Sequence, residues 1–230
     1  SSAGTGSVVV SNTLATGTTT ASVYGIRDAA STTINPSVRL IQFNRIGSVT
    51  TNATNTTNAV SIYGIAKTNT ASPWNVRNNL IGSQTQAGSI QASSAATANA
   101  QYVAGIYYSG TDGIITIEND TIANLVNNTT NATDNAGRVH GVYTSLNRNT
   151  ITSNIIRDLY SSSQNGAIGV NASVVGISAS PTGTASSQLI NRNLIYNLRN
   201  TSTVNASVRV AGLVYSGPLT GSQEISRNFI

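Results

Sequence analysis

Apolar residues recur along this chain in short clusters, which polar residues interrupt every one to three positions. An amphipathic helix needs ten or more residues of 3.6-residue periodicity in good helix formers, and no segment provides this pattern. Short β-branched runs separated by Gly and Asn are typical of short strands joined by tight bends. The pattern therefore predicts an all-β protein with about three short strands in each of several repeats.

Two motifs alternate along the chain. The first is apolar-x-x-Asn-x-apolar, and the second is apolar-x-Gly-apolar. The central residues of the first are Asn12, Asn44, Asn79, Asp120, Asn154, Asn193 and Asn228. The glycines of the second are Gly25, Gly64, Gly105, Gly141, Gly176 and Gly212. The 216 residues from Asn12 to Asn228 span six intervals of about 36 residues each, a period typical of solenoids and other repeat architectures.

A right-handed parallel β-helix of six to seven coils, forming one domain over residues 1–230, fits these repeats best. A β-propeller also uses repeats of this length, but its four-stranded antiparallel blades need hairpin turns that are scarce here. In a β-helix, equivalent residues stack about 4.8 Å apart. The Ile and Val positions, among them Val23 and Ile62, should then form interior columns.

The Asn residues should form a hydrogen-bonded column, at bends where Asn tolerates a left-handed backbone. Asp120 accepts but cannot donate hydrogen bonds while it is ionised. We therefore expect either a local gap or a neighbouring donor at that coil. The Gly residues should allow either another bend or a close approach of two backbones.

Composition and charge narrow the class of protein. Charged residues make up only 8% of the chain, against roughly 25% in typical proteins, so a narrow core wrapped in neutral polar loops is expected. The net charge is +5, but the Arg residues are scattered singly, whereas nucleic-acid binders cluster them. Cysteine is absent, which argues against disulfides and thiolate metal sites. No apolar stretch is long enough to insert into a membrane.

Candidate chemistry is sparse, and the sequence predicts neither an enzyme nor a cofactor. Glu118 and Asp120 lie two residues apart, with Asp112 earlier in the chain, but ordinary acidic variation at repeat positions explains them better than a shared site does. His140 occupies a repeat position that should face outward and accept any residue, and no motif of a catalytic triad accompanies it. Tyr24 and Tyr63 share one repeat position and Tyr107 and Tyr143 another. Exposed rings there could stack on sugars, but Tyr side chains that only cover the strands are the preferred interpretation.

The alternation of the two motifs, as in residues 151–159 and 190–198, resembles the right-handed β-helix repeats of very large secreted bacterial surface proteins. It is similar in particular to those exported by the type IX system and used as adhesins or filaments, and it covers residues 9–230. The resemblance implies an extracellular, cell-surface, structural or adhesive solenoid. Its expected partner is itself, through end-to-end stacking or flanking repeats of a longer chain, with surface glycans as a further candidate.

Two alternatives stay open at this stage. One is a carbohydrate-binding or polysaccharide-degrading β-helix, because such enzymes share the coil and fold alone does not fix activity. The other is an ice-binding solenoid, which requires Thr residues in register on one flat face. The Thr-rich segments here lie mainly in loops of variable length, which makes such a register unexpected.

Overall fold

The structure, a computed structural model, describes residues 8–12, 20–29, 37–68, 73–97, 99–110, 113–134, 136–183, 186–218 and 220–230, excluding the side chains of residues 11 and 12. The strands of the described part pair in parallel throughout and collect into three sheets. One short 3₁₀ helix, Gly169–Asn171, accompanies them. The predicted all-β parallel solenoid is confirmed, and the right-handed coil stays a prediction.

Each turn passes through the three sheets in a fixed order. Sheet 1 carries the Gly motif and contains β2 (Thr20–Asp28), β6 (Ala59–Lys67), β10 (Gln101–Tyr108), β13 (Gly137–Thr144), β16 (Val174–Ala179) and β19 (Val210–Tyr215). Sheet 2 follows, with β3 (Arg39–Gln42), β7 (Trp74–Arg77), β11 (Ile114–Glu118), β14 (Arg148–Thr152), β17 (Ser186–Asn191) and β20 (Gly221–Ser226). Sheet 3 closes the turn, with β1 (Val8–Asn12), β4 (Arg45–Ile46), β5 (Val49–Ala53), β8 (Leu80–Gly82), β9 (Ile90–Ser94), β12 (Thr121–Thr129), β15 (Ile155–Ser161) and β18 (Leu194–Asn200).

The chain completes about five turns, of about 36 residues each. The repeat length is confirmed, whereas the predicted six to seven coils are too many. Strand β1 precedes the first full turn, and β19 and β20 follow the last one. Two of the seven motif copies therefore lie in incomplete turns at the two ends.

The core consists of stacked β-branched residues, as the repeats predict. The strand register of sheet 1 aligns Val23, Ile62, Val103, Val139, Val174 and Val210 in one column. In the middle coils these side chains are fully buried, together with columns such as Ile117, Ile151 and Ile190 from sheet 2. Burying one such side chain stabilises the fold by roughly 1.5–3 kcal/mol. Stacking like residues thus builds a core without Met, Cys or many aromatic residues.

Candidate functional site

The Asn column lies at the corner where each strand of sheet 2 ends and sheet 3 begins. The residue directly before each column member has a left-handed backbone, with φ between 54° and 58°: Phe43, Asn78, Asn119, Ser153, Arg192 and Arg227. We expected the left-handed bend at the column residue itself, and this expectation is wrong by one position. The preceding residue turns the chain, so that the Asn side chain can point along the axis of the solenoid.

The column is hydrogen-bonded from coil to coil. Oδ1 of Asn193 accepts from the backbone N–H of Asn154 at 3.1 Å and from its Nδ2 at 2.9 Å. Nδ2 of Asn193 in turn donates to the carbonyl of Ile151 and to Oδ1 of Asn228, both at 2.9 Å. The same two-donor rung joins Asn44 to Asn79 and Asn79 to Asp120. The predicted column is confirmed from Asn44 to Asn228.

Asn12 does not belong to this column. The register of β1 places Asn12 opposite Ala53, whereas the column passes through Asn44. The assignment of Asn12 from the sequence is therefore wrong. The short motif occurs in a Val- and Asn-rich segment of sheet 3, and six residues of matching pattern do not fix the register of a strand.

Asp120 leaves a gap in the column, as the sequence predicts. Its Oδ1 accepts from the backbone N–H of Asn79 at 2.7 Å and from Nδ2 at 2.9 Å, as Asn would. Its Oδ2 is buried and has no hydrogen-bond partner among the described residues. Burial raises the pKa of Asp120 to about 7, with a further contribution from Glu118 and against the effect of the bonds from Asn79.

The Gly column is explained by steric crowding, because no room is left for a Cβ atom at these positions. A Cβ on Gly141 would lie 2.5 Å from the carbonyl oxygen of Gly176 in the next coil and 2.5 Å from Cγ2 of Ile156. The same contacts recur at Gly64, where the neighbours are Gly105 and Ile81. None of the six motif glycines has a positive φ. Of the two expected roles, close approach is therefore confirmed, and a left-handed bend is not found.

This packing links the two motifs. The Ile that fills the space beside each Gly is the last residue of the Asn motif in the same turn, such as Ile81, Ile122 or Ile156. An apolar-x-Gly-apolar strand in sheet 1 thus needs an Asn-x-Ile corner across the narrow core. The alternation of the motifs in the sequence follows from this contact.

The candidate acidic pair does not form an accessible site. Asp120 is 1% exposed within the column, while Glu118 lies half-buried on sheet 2 beside Arg77, 3.7 Å away. Asp112 lies outside the described residues. Within the described ranges, no group of three His, Cys, Asp or Glu side chains could hold a metal ion. The described part also has no helix of the length and hydrophobicity needed to cross a membrane.

The tyrosines of sheet 1 form one continuous aromatic cluster. Tyr24 stacks on Tyr63 with ring centroids 5.2 Å apart, and Tyr107 stacks on Tyr143 at 5.0 Å. Tyr63 also contacts Tyr107 at 4.9 Å. Arg27 lies over Tyr24, with its guanidinium 4.8 Å from the ring centroid. The rings and the guanidinium therefore cover much of one another's faces.

His140 is buried inside this cluster, contrary to its interpretation as an outward position that accepts any residue. Its side chain is 0% exposed, and its Nδ1 is hydrogen-bonded to the hydroxyl of Tyr102. The 3₁₀ helix packs against β16 and β19, and Arg138 is tied to Asn171 of that helix at 2.7 Å. Burial, with a smaller effect of Arg138, lowers the pKa of His140 to about 3. The imidazole is therefore neutral at physiological pH.

A buried ion cluster lies beside the core at the corner between sheets 1 and 2. The side chain of Lys67 is 1% exposed, and its Nζ lies 3.2 Å from Oδ2 of Asp28. Asp28 also accepts from Nε1 of Trp74 at 3.0 Å and pairs with Arg39. Burial lowers the pKa of Lys67, against the effect of Asp28. Sequence analysis missed this cluster, although Lys67 is the only Lys in the chain.

Many Asn, Ser and Thr residues hold the turns that follow the strands. Their side-chain oxygens accept a hydrogen bond from the backbone N–H two residues later, as in Asn131 to Thr133, Asn200 to Ser202 and Asn205 to Ser207. Such turns are a common role of these residue types. In these three Asn-x-Ser/Thr sequences, the Asn side chain therefore stabilises a local turn.

Comparisons with protein-family models, with curated proteins and with solved structures find no match for this chain.

Proposed function

We propose that this chain is a non-catalytic β-solenoid rod of a bacterial surface adhesin or filament, extended at its ends by coils of the same kind. The polarity of the Asn column supports this proposal. Each rung runs from the N–H and Nδ2 of one coil to Oδ1 of the next. No described residue donates to Oδ1 of Asn44, and no described residue accepts from the N–H of Asn228. A further coil at either end would find the complementary group.

Apolar side chains at both ends support the same proposal. Leu40 and Phe43 in the first turn are 48% and 71% exposed, and Ile225 and Phe229 in the last are 44% and 71% exposed. The outer edges of β2 and β3 at one end, and of β19 and β20 at the other, pair with no described strand. Open strand edges with apolar side chains favour association with another coil.

The adhesive role and the extracellular location rest on the resemblance to secreted surface repeats. Polar loops, whose turns are held by Asn, Ser and Thr, agree with a structural role. We propose no nucleic-acid partner and no cofactor.

Two observations weigh against the alternatives. Sugar stacking needs exposed ring faces, whereas the Tyr rings of sheet 1 cover one another's faces. Ice binding needs a Thr array in register, but among the described strand pairs only Thr116 and Thr150 face each other. Asn75 and Leu189 occupy the neighbouring positions of that column.

The proposal is tested by the association of the purified chain, measured by sedimentation velocity and by electron microscopy over a range of protein concentrations. We expect rods that lengthen end to end as the concentration rises. Ile225→Lys, on the last coil, should suppress this lengthening. Ile155→Lys makes the same change at a side chain that is 38% exposed in the middle of the rod and serves as the control.

Three outcomes would contradict the proposal. These are a chain that stays monomeric at all concentrations, lengthening that both Lys variants suppress equally, or hydrolysis of a polysaccharide by the purified protein. Circular dichroism of each variant establishes that it is folded before association is measured.

A further inference from the structure

The Asn column has a regular donor pattern that Asp120 cannot continue as a carboxylate. Nδ2 of Asn154 donates to the carbonyl of Ile117 at 3.1 Å and to Oδ1 of Asn193 at 2.9 Å. Asn193 donates in the same way to Ile151 and Asn228. The Nδ2 of each of these two Asn residues therefore makes two hydrogen bonds. It donates to a backbone carbonyl in the preceding coil, three residues before the column residue of that coil. It also donates to Oδ1 of the column residue in the following coil.

At Asp120 the place of that donor is taken by an oxygen atom. Oδ1 of Asp120 accepts both hydrogen bonds that Asn79 donates. Oδ2 of Asp120 therefore occupies the position that Nδ2 of Asn has in the other coils. The equivalent acceptors at this coil are the carbonyl of Val76 and Oδ1 of Asn154, which accepts from the backbone N–H of Asp120 at 2.9 Å. Oδ2 is buried and unpartnered among the described residues. A buried ionised carboxylate facing two acceptors would be strongly destabilised.

We infer that Asp120 carries a proton on Oδ2 in the folded solenoid, and that loss of this proton weakens the contact between its coil and the adjacent coils. The protonated carboxyl has one O–H donor, which can serve the carbonyl of Val76 or Oδ1 of Asn154. The chain thus contains a pH-sensitive joint at one defined level of the column. This inference does not depend on the proposed function.

The surrounding charges are few. On the coil of Asp120, the carboxylate of Glu118 disfavours ionisation of Asp120, and Arg77 on the preceding coil lies 3.7 Å from that carboxylate. On the following coil, Asn154 is flanked by Ser153 and Ile155, and Thr152 lies opposite Glu118. Among the described residues of these coils, no cation therefore compensates a charge on Oδ2.

The direction of the pH effect follows from linkage. The pKa of Asp120 is about 7 in the folded chain, whereas the ordinary pKa of an Asp side chain is 3.8. Between these values the folded state holds a proton that the unfolded state has released, so stability is fully present below 3.8 and is lost as pH rises towards 7. The folding equilibrium constant should fall by about tenfold per pH unit over this range from this group alone.

The test compares the wild type with Asp120→Asn, which restores an amide of the same shape and removes the titration. Denaturant unfolding is measured between pH 4 and pH 8, and Asp134→Asn, a loss of one exposed carboxylate, is the control. We expect the advantage of Asp120→Asn to be small at pH 4, to grow by about tenfold per pH unit, and to level off above pH 7. Asp134→Asn should not show this rise.

A direct measurement of the carboxyl group separates this inference from a general effect on stability. The ¹³Cγ resonance of Asp120 in the folded protein should titrate near neutral pH. A titration below pH 5, or an advantage of Asp120→Asn that is constant between pH 4 and pH 8, would overturn the inference.

Discussion

Truncating Asn193 to Ala should show how much the Asn column contributes to stability. Asn193 is 1% exposed, and its side chain takes part in four hydrogen bonds that connect three coils. Ala leaves the N–H of Asn154 and the carbonyl of Ile151 without these partners. Nδ2 of Asn154 keeps its bond to Ile117, and Asn228 lies nearer to solvent. The loss therefore concentrates on two buried backbone groups.

Each buried polar group left without a partner costs about 1–3 kcal/mol. We therefore expect Asn193→Ala to lower the free energy of unfolding by about 2–6 kcal/mol, a large part of a typical total of about 5–15 kcal/mol. The change is measured by denaturant unfolding. Hydrogen exchange of the amide of Asn154, which should become faster, then assigns the loss to this coil, because repeat proteins can unfold in parts.

The matched control is Asn52→Ala on β5, where the Asn side chain is exposed. It should change the free energy of unfolding by no more than about 0.5 kcal/mol. If Asn193→Ala costs no more than Asn52→Ala, the column is not a source of stability and the physical account given above is wrong.

Three further predictions concern the Gly column, the buried His and the ion cluster. Gly141→Ala should destabilise the fold by about 1–3 kcal/mol or more in thermal or denaturant unfolding, because the new Cβ meets a backbone carbonyl and Ile156 at 2.5 Å. The pKa of His140 is about 3 in the folded chain, whereas the ordinary pKa of His is 6.5. The free energy of unfolding of the wild type should therefore fall by about 1.4 kcal/mol per pH unit as pH falls from 6.5 towards 3, because the unfolded chain takes up the proton first; His140→Val should remove this slope. Asp28→Ala should cost about 3–5 kcal/mol in denaturant unfolding, because it leaves Lys67 buried without its anion.

Each of these variants has a control or a result that would contradict it. Gly166→Ala places a Cβ no closer than 3.4 Å to any neighbour and should be tolerated. An equal loss of stability in Gly141→Ala and Gly166→Ala would refute the claim that crowding excludes a Cβ at Gly141. A pH slope that survives in His140→Val would show that another group causes it. Glu118→Gln breaks a partly exposed ion pair with Arg77 and should cost at most about 1 kcal/mol, and a similarly small cost at Asp28 would refute the role of the buried cluster.

His140 and Asp120 change the free energy of unfolding with pH in opposite directions, and their pH ranges overlap. Acidification favours the folded state through Asp120 and the unfolded state through His140. The two contributions largely cancel in the wild type between about pH 4 and pH 6.5. Each is therefore revealed by its own variant, and a flat wild-type profile alone would contradict neither.

The sequence by itself determined the three-sheet solenoid, its repeat of about 36 residues, and the columns of Val, Gly and Asn. Stacked coils place equivalent residues in contact with one another. A contact that is made in every coil therefore requires the same residue type at a regular spacing, which is visible in the sequence. Even the gap at Asp120 could be predicted, because Asp lacks the donor that a column position uses. The sequence predicts the position of the Gly column correctly. It does not predict that each Gly packs against an Ile such as Ile81 or Ile156, because that contact joins two different motifs across the core.

Only the tertiary structure decided the features that do not repeat. The register of β1 removed Asn12 from the column, because one strand among polar residues carries too little pattern to fix its alignment. His140 is buried between Tyr102 and Tyr143, an aromatic contact found in one described turn, and the pairing of Asp28 with Lys67 joins residues 39 positions apart. A contact that occurs once has no period, and it becomes visible only when the coils are stacked.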